Sequence, residues 1–145
     1  MRRSIVIATA EAAEEAFYDA MQRGDLAAMM ALLADDEDVV CVHPNGARLA
    51  GIAAIRDSFA AIFSRGGVDV RPADVRIHLS GAMAAHNLVE KVLVAGPAGT
   101  RIVECVATNV YLKTAAGWRI VLHHSASVSD SGGPDVAAEA PAVLH

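Results

Sequence analysis

The stretch from Ile102 to Val128 limits what this chain can fold into more than any other. It reads Ile-Val-Glu-Cys-Val-Ala-Thr-Asn-Val-Tyr-Leu-Lys, then Thr-Ala-Ala-Gly, then Trp-Arg-Ile-Val-Leu-His-His-Ser-Ala-Ser-Val. Two long runs rich in β-branched and aromatic residues, joined by a short turn, predict an antiparallel hairpin. Runs such as Val92-Leu93-Val94 and Ile120-Val121-Leu122 are apolar at every position. An antiparallel sheet with one solvated face would alternate instead, so both faces need cover. No helical segment is left over for the second face, and dimerisation through the sheet is the economical reading.

The rest of the chain supplies cover for the first face. Thr9 is a suitable N-cap, and Ala10, Ala13, Phe17, Ala20 and Met21 recur at helical spacing over residues 10 to 23. Gly24 ends that helix and Asp25 starts a second, with Leu26, Met29, Met30 and Leu33 as its stripe. Asp35, Asp36, Glu37 and Asp38 read as a solvated acidic loop, lacking the spacing and turn glycine of a calcium loop. A short strand, Val39 to Val42, leads to the turn His43-Pro44-Asn45-Gly46. Ile52, Ile55, Phe59, Ile62 and Phe63 mark a third helix. Strands are predicted near 68–79, 83–95, 101–113 and 118–128. The fold class is therefore α+β, with three N-terminal helices packed on an antiparallel sheet. The ordered domain is expected over residues 1–128, and 129–145, rich in Ser, Gly, Pro, Asp and Ala, as a flexible tail.

A chain of 145 residues with 54% hydrophobic and 20% charged content is sized for one domain with a substantial core. The net charge of −5 and the lack of a basic cluster argue against nucleic acid or an anionic membrane as partner. The apolar run after Arg2 and Arg3 is too short for a signal peptide, and none approaches the roughly 20 residues of a membrane span. Cys41 and Cys105 lack CxxC spacing and read as small buried hydrophobes of a reducing cytoplasm. No metal-ligand spacing is present, and no cofactor is implied.

Several segments resemble the SnoaL-like branch of the nuclear transport factor 2-like superfamily. They are Phe17-Tyr18-Asp19 through Gly24-Asp25-Leu26, Val42-His43-Pro44-Asn45-Gly46, Leu49-Ala50-Gly51, Ala54-Ile55, Thr108 to Lys113 and Gly117 to Ser125. The resemblance spans residues 10 to 128. It implies a cone in which a strongly bent sheet wraps long helices and encloses a pocket at its wide end. It also implies a homodimer packed through the sheet. Functions in that superfamily diverge from ketosteroid isomerase, scytalone dehydratase, limonene epoxide hydrolase and polyketide cyclases to the non-catalytic association domain of calcium/calmodulin-dependent protein kinase II. Function must therefore be argued from the pocket.

Adjacent His123 and His124 point to opposite faces of a regular strand, so they cannot share a metal. Four-residue loops at Thr114–Gly117 and Pro97–Thr100 would set Lys113 opposite Trp118 and Gly96 opposite Arg101. One face then carries His86, Leu88, Glu90, Cys105, Ala107, Asn109, Tyr111, Trp118, Leu122 and His124, and the other carries His123 and Ser125. The first set suits a pocket for a small, mostly apolar molecule. In the kinase association domain a polar residue at the position resembling Asn109 faces the cavity, which favours the same set. Desolvation raises a carboxylate's affinity for protons, which suits Glu90 to general-base work, with His86 or His124 exchanging a proton with it. Asn109 or Tyr18 would bond a developing oxyanion, Tyr111 would line the pocket, and His43 and Asn45 would stand at its mouth. The implied activity is a cofactor-independent isomerase, lyase or cyclase. The ordinary alternatives are a Glu90 ion-paired with Lys91 or Arg101, histidines satisfied in the core, and a non-catalytic binding or assembly module. The ketosteroid isomerase and epoxide hydrolase residue patterns are not recognisable in the chain.

Overall fold

A computed structural model describes residues 6–128; the expected tail at 129–145 lies outside them. Helix α1 spans Ala10–Arg23, with the Thr9 hydroxyl accepting the Ala12 N–H at 3.0 Å. Gly24 closes it at φ 63°, in the left-handed region where a Cβ is penalised. A short α2, Leu26–Ala31, is capped by Asp25, whose carboxylate accepts the Ala28 N–H. Strand β1 (Val40–Val42), strand β2 (Arg48–Ala50) and helix α3 (Ile52–Phe63) follow. The chain then crosses the end of α1 so closely that a Cβ on Gly67 would lie 1.9 Å from the Gln22 carbonyl oxygen. Only glycine fits there, and Val68 N–H bonds to the Met21 carbonyl at 2.8 Å.

Strands β3 (Val70–Ser80), β4 (Met83–Gly96), β5 (Gly99–Thr114) and β6 (Gly117–Ser127) form an antiparallel meander. The six strands lie in the order β2-β1-β6-β5-β4-β3. The sheet is mixed rather than wholly antiparallel, because β1 runs parallel to β6 and pairs Val42 with His124. Pairing of β1 to β6 follows from the intervening α3 and meander, a crossover that no local sequence signal announces. Buried residues of all three helices, among them Phe17, Met29, Ile55 and Phe59, join Leu88, Ala107, Tyr111 and Ile120 in one core on a single face of the sheet. No described helix is long and apolar enough to cross a membrane.

Two irregularities bend the sheet. Register slips in β3 between Ala73 and Arg76, where Asp74 adopts φ 51°. In β6, Val110 faces Leu122 while Tyr111 faces Ile120, so Val121 is an extra residue. Each bulge turns its strand and increases local twist. The second also reverses which side chains of β6 point inward.

Candidate functional site

Strands β4 and β5 place alternate side chains on the concave face: His86, Leu88 and Glu90 from one, Cys105, Ala107, Asn109 and Tyr111 from the other. The turn between them has only two residues, since Gly96 faces Gly99 rather than Arg101. That moves the pairing by two positions, which preserves the faces. Glu90 consequently faces Cys105, and His86 faces Asn109.

On β6 the expectation is overturned. Lys113 does face Trp118, but the bulge at Val121 shifts everything beyond it by one residue. Asn109 faces His123 instead of Leu122, and Ala107 faces Ser125 instead of His124. His123 and Ser125 are buried, at 3% and 2% exposure, while His124 is exposed on the opposite face. His124 therefore leaves the list of pocket groups and His123 enters it.

The inward polar groups form one continuous chain of hydrogen bonds. Asn109 Oδ1 lies 2.5 Å from His123 Nδ1, and Asn109 Nδ2 donates to the Tyr18 hydroxyl at 3.0 Å. Tyr18 donates to Glu90 Oε2 at 2.7 Å, and Ser125 Oγ donates to Glu90 Oε1 at 2.5 Å. The amide oxygen can only accept, so His123 carries its proton on Nδ1 and keeps a lone pair on Nε2. Both Glu90 oxygens act as acceptors, and Glu90 makes no ion pair among the described residues. Lys91 is exposed and faces Glu104, and Arg101 faces Val94.

Burial sets the electrostatics. Desolvation, with His43 and His124 nearby, lowers His123 to about 3, so its imidazole is neutral at physiological pH. His43 is also lowered by burial. Burial and Glu90 push the Cys41 thiol up to about 12 and hold the Tyr18 phenol far above its ordinary value. A protonated Cys41 thiol can give its hydrogen to His43 Nε2, 3.6 Å away, leaving Nδ1–H as the free donor of that ring.

These groups open onto a cavity of about 150 Å³. Its polar wall is Glu90, His123, Ser125 and His43, with Cys105 beside them, and its apolar wall includes Met21, Ile62, Val68, Val70 and Val92. A cavity of that size holds a molecule of about one ring. Tyr18 and Asn109 stand behind the wall as supports. Asn45 is exposed and donates to Ser127 Oγ at 3.2 Å, outside the lining set. His86 and Tyr111 pack against each other in a different part of the core, their ring centroids 4.8 Å apart. Four residues of strand put His86 about 13 Å from Glu90 along β4, too far to exchange a proton with it directly. A broader surface depression, about 600 Å³, lies elsewhere, between Asp35–Glu37 and the start of α3. Among the described residues no three His, Cys, Asp or Glu converge as a metal would need.

A pH dependence follows from His123. Its folded value lies below the ordinary 6.5, so between about 6.5 and 3 the unfolded chain binds a proton that the folded chain refuses. Stability is complete above about pH 6.5 and falls on acidification by up to ~1.4 kcal/mol per pH unit, about 2 kcal/mol by pH 5. Urea denaturation at a series of pH values checks this. His123→Gln should flatten the acid limb by the equivalent of one proton.

The model of the SnoaL-like domain matches residues 10–130. No curated protein matches the chain. A solved structure from Thiobacillus denitrificans, named as a candidate calcium/calmodulin-dependent protein kinase type II association domain, shares 34% identity with a TM-score of 0.79, covering 87% of this chain and 100% of that one. A candidate dehydratase of the NTF2-like family from Streptomyces avermitilis shares 30% identity with a TM-score of 0.73, covering 81% and 93%. A calcium/calmodulin-dependent protein kinase II hub from S. rosetta, at 22% identity and a TM-score of 0.67 over 80% and 92%, shares the fold. The bent sheet, the three helices and the matched span agree, and the chain belongs to the SnoaL-like family of nuclear transport factor 2-like proteins.

Proposed function

We propose that the Glu90 cavity binds a small, mostly apolar molecule carrying one polar oxygen, and that Glu90 accepts a proton from it. The observation that carries this reading is a buried carboxyl lining a ring-sized cavity with both oxygens oriented by hydroxyl donors. Such orientation is what a general base needs, because a misplaced base transfers protons poorly. A C–H bond beside a carbonyl would give its proton to Glu90 while the electron pair moves onto the carbonyl oxygen. The His43 Nδ1–H is the donor for that oxygen, and neutral His123 offers Nε2 to a ligand hydroxyl. Returning the proton to another carbon makes an isomerase; expelling a leaving group makes a lyase. The proposed chemistry uses these side chains alone.

Cyclopentanone is a suitable probe of occupancy. Its addition should shift the imidazole resonances of His123 and His43 saturably while leaving exposed His78 unmoved. Shifts that do not saturate, or that spread over all histidines, would argue against a cavity site.

A second reading, a non-catalytic assembly module, draws on the Thiobacillus relative named as an association domain. It also draws on the convex sheet face, where Val89 faces Val106, Leu93 faces Ile102 and Val110 faces Leu122. Ile102 is 58% exposed and Val106 41%, an apolar surface that a second copy would cover. We place a homodimer there. Sedimentation of the wild-type chain should give a dimer, and Val106→Arg a folded monomer. A wild-type monomer would remove the interface from the account, and larger closed rings would favour assembly as the main role.

A further inference from the structure

The concave face carries a second recess, away from Glu90. Ile77 and Leu79 of β3 sit opposite His86 and Ala84 on that face. Ile77 is 46% and Leu79 67% exposed. With Trp118 and the segment Ala8–Glu11 they enclose about 210 Å³.

His86 lines this recess and is fully buried. Its Nδ1 lies 2.8 Å from Glu14 Oε1, a carboxylate at 12% side-chain exposure. Glu14 accepts from Nδ1–H, and the imidazole in that tautomer carries a lone pair on Nε2. That Nε2 has no hydrogen-bond partner among the described residues, although it is buried. Native proteins leave few such atoms unsatisfied, and an orphaned acceptor beside an unfilled recess is a place for a donor from outside. Glu11 at the rim and Glu14 behind the ring disfavour an anion.

We propose that this recess is a second small-molecule site, taking a compact neutral hydroxyl compound. Its hydroxyl donates to His86 Nε2, and its apolar body packs on Ile77, Leu79 and Trp118. A cavity of 150 Å³ can hold benzene, so a six-membered ring fits the available volume.

Trp118 is the only tryptophan in the chain, so its emission reports this recess alone. The test adds cyclohexanol, and in parallel cyclohexanone, which has the same shape without the donor. Cyclohexanol should change Trp118 emission saturably and move the ¹⁵N resonance of His86 Nε2, with His86 responding at the same midpoint. Cyclohexanone should bind at least about tenfold more weakly, as should cyclohexanol to His86→Leu, the factor for one lost hydrogen bond. If His86→Leu fails to fold, Ala8→Phe, at an exposed position on the recess wall, should block binding with His86 intact. Equal affinity for alcohol and ketone, no saturable Trp118 response, or a response that Ala8→Phe leaves unchanged would each overturn the proposal. Movement of His123 without His86 would place the alcohol in the Glu90 cavity and overturn it as well.

Discussion

Asn109→Leu should lower the free energy of unfolding by roughly 2–5 kcal/mol, measured by urea titration at pH 7. The side chains are similar in volume, so the effect is not that of a cavity. Asn109 is fully buried and holds two partners at once: it accepts from His123 Nδ1 and donates to Tyr18. Leucine leaves the His123 N–H without an acceptor and removes one of the two bonds of the Tyr18 hydroxyl. A buried polar group stripped of its partner loses about 1–3 kcal/mol, and His123 and Tyr18 are both deeply buried. Tyr18 keeps its bond to Glu90, which sets the lower end of the range. Arg65→Ala, at an exposed site beyond α3, should change stability by no more than about 0.5 kcal/mol. An Asn109→Leu protein as stable as Arg65→Ala would mean that the polar chain behind the cavity is not a structural support.

The same network shows where sequence reasoning succeeds and where it stops. Strand positions of His86, Glu90, Asn109 and Tyr111 followed from period-two alternation and from turn positions. A two-residue error in the β4–β5 turn did not disturb them, because an even shift preserves the face. The β6 residues are different. Lys113 opposite Trp118 was legible from the Thr114–Gly117 turn, yet one bulged residue at Val121 exchanges His124 for His123 and brings in Ser125. Nothing in Ile120-Val121-Leu122 marks the bulge, since three consecutive apolar residues satisfy either register. The bulge is settled by tertiary packing of Ile120 against the core and of His123 against Asn109 and Phe17.

Tyr18 illustrates a second limit. It lies beside the apolar stripe of α1 rather than on it, so helical periodicity alone gives it little weight. The structure buries it to 2% exposure because its ring packs edge-on to Phe17 while its hydroxyl meets Glu90. Position on the helix could not reveal that a carboxyl on β4 was waiting opposite. Likewise the β1–β6 pairing, which carries His43 to the cavity edge, joins strands about eighty residues apart and has no local signature.

The proton-transfer reading has its largest consequence at Glu90. Glu90→Gln keeps the size of the side chain but replaces one acceptor oxygen by an N–H donor. The cavity keeps its shape and loses its base, which makes the substitution a test of chemistry more than of packing. Positioned general bases contribute about 10²–10⁴-fold. The decisive measurement is deuterium incorporation into the carbons flanking the carbonyl of cyclopentanone, followed by NMR in D₂O at neutral pD. The wild-type chain should accelerate exchange above buffer saturably, and Glu90→Gln should reduce that acceleration by at least about 100-fold while cyclopentanone still shifts His123. Exchange at the buffer rate with the wild-type protein, or equal rates for wild type and Glu90→Gln, would contradict the assignment of Glu90 as a base.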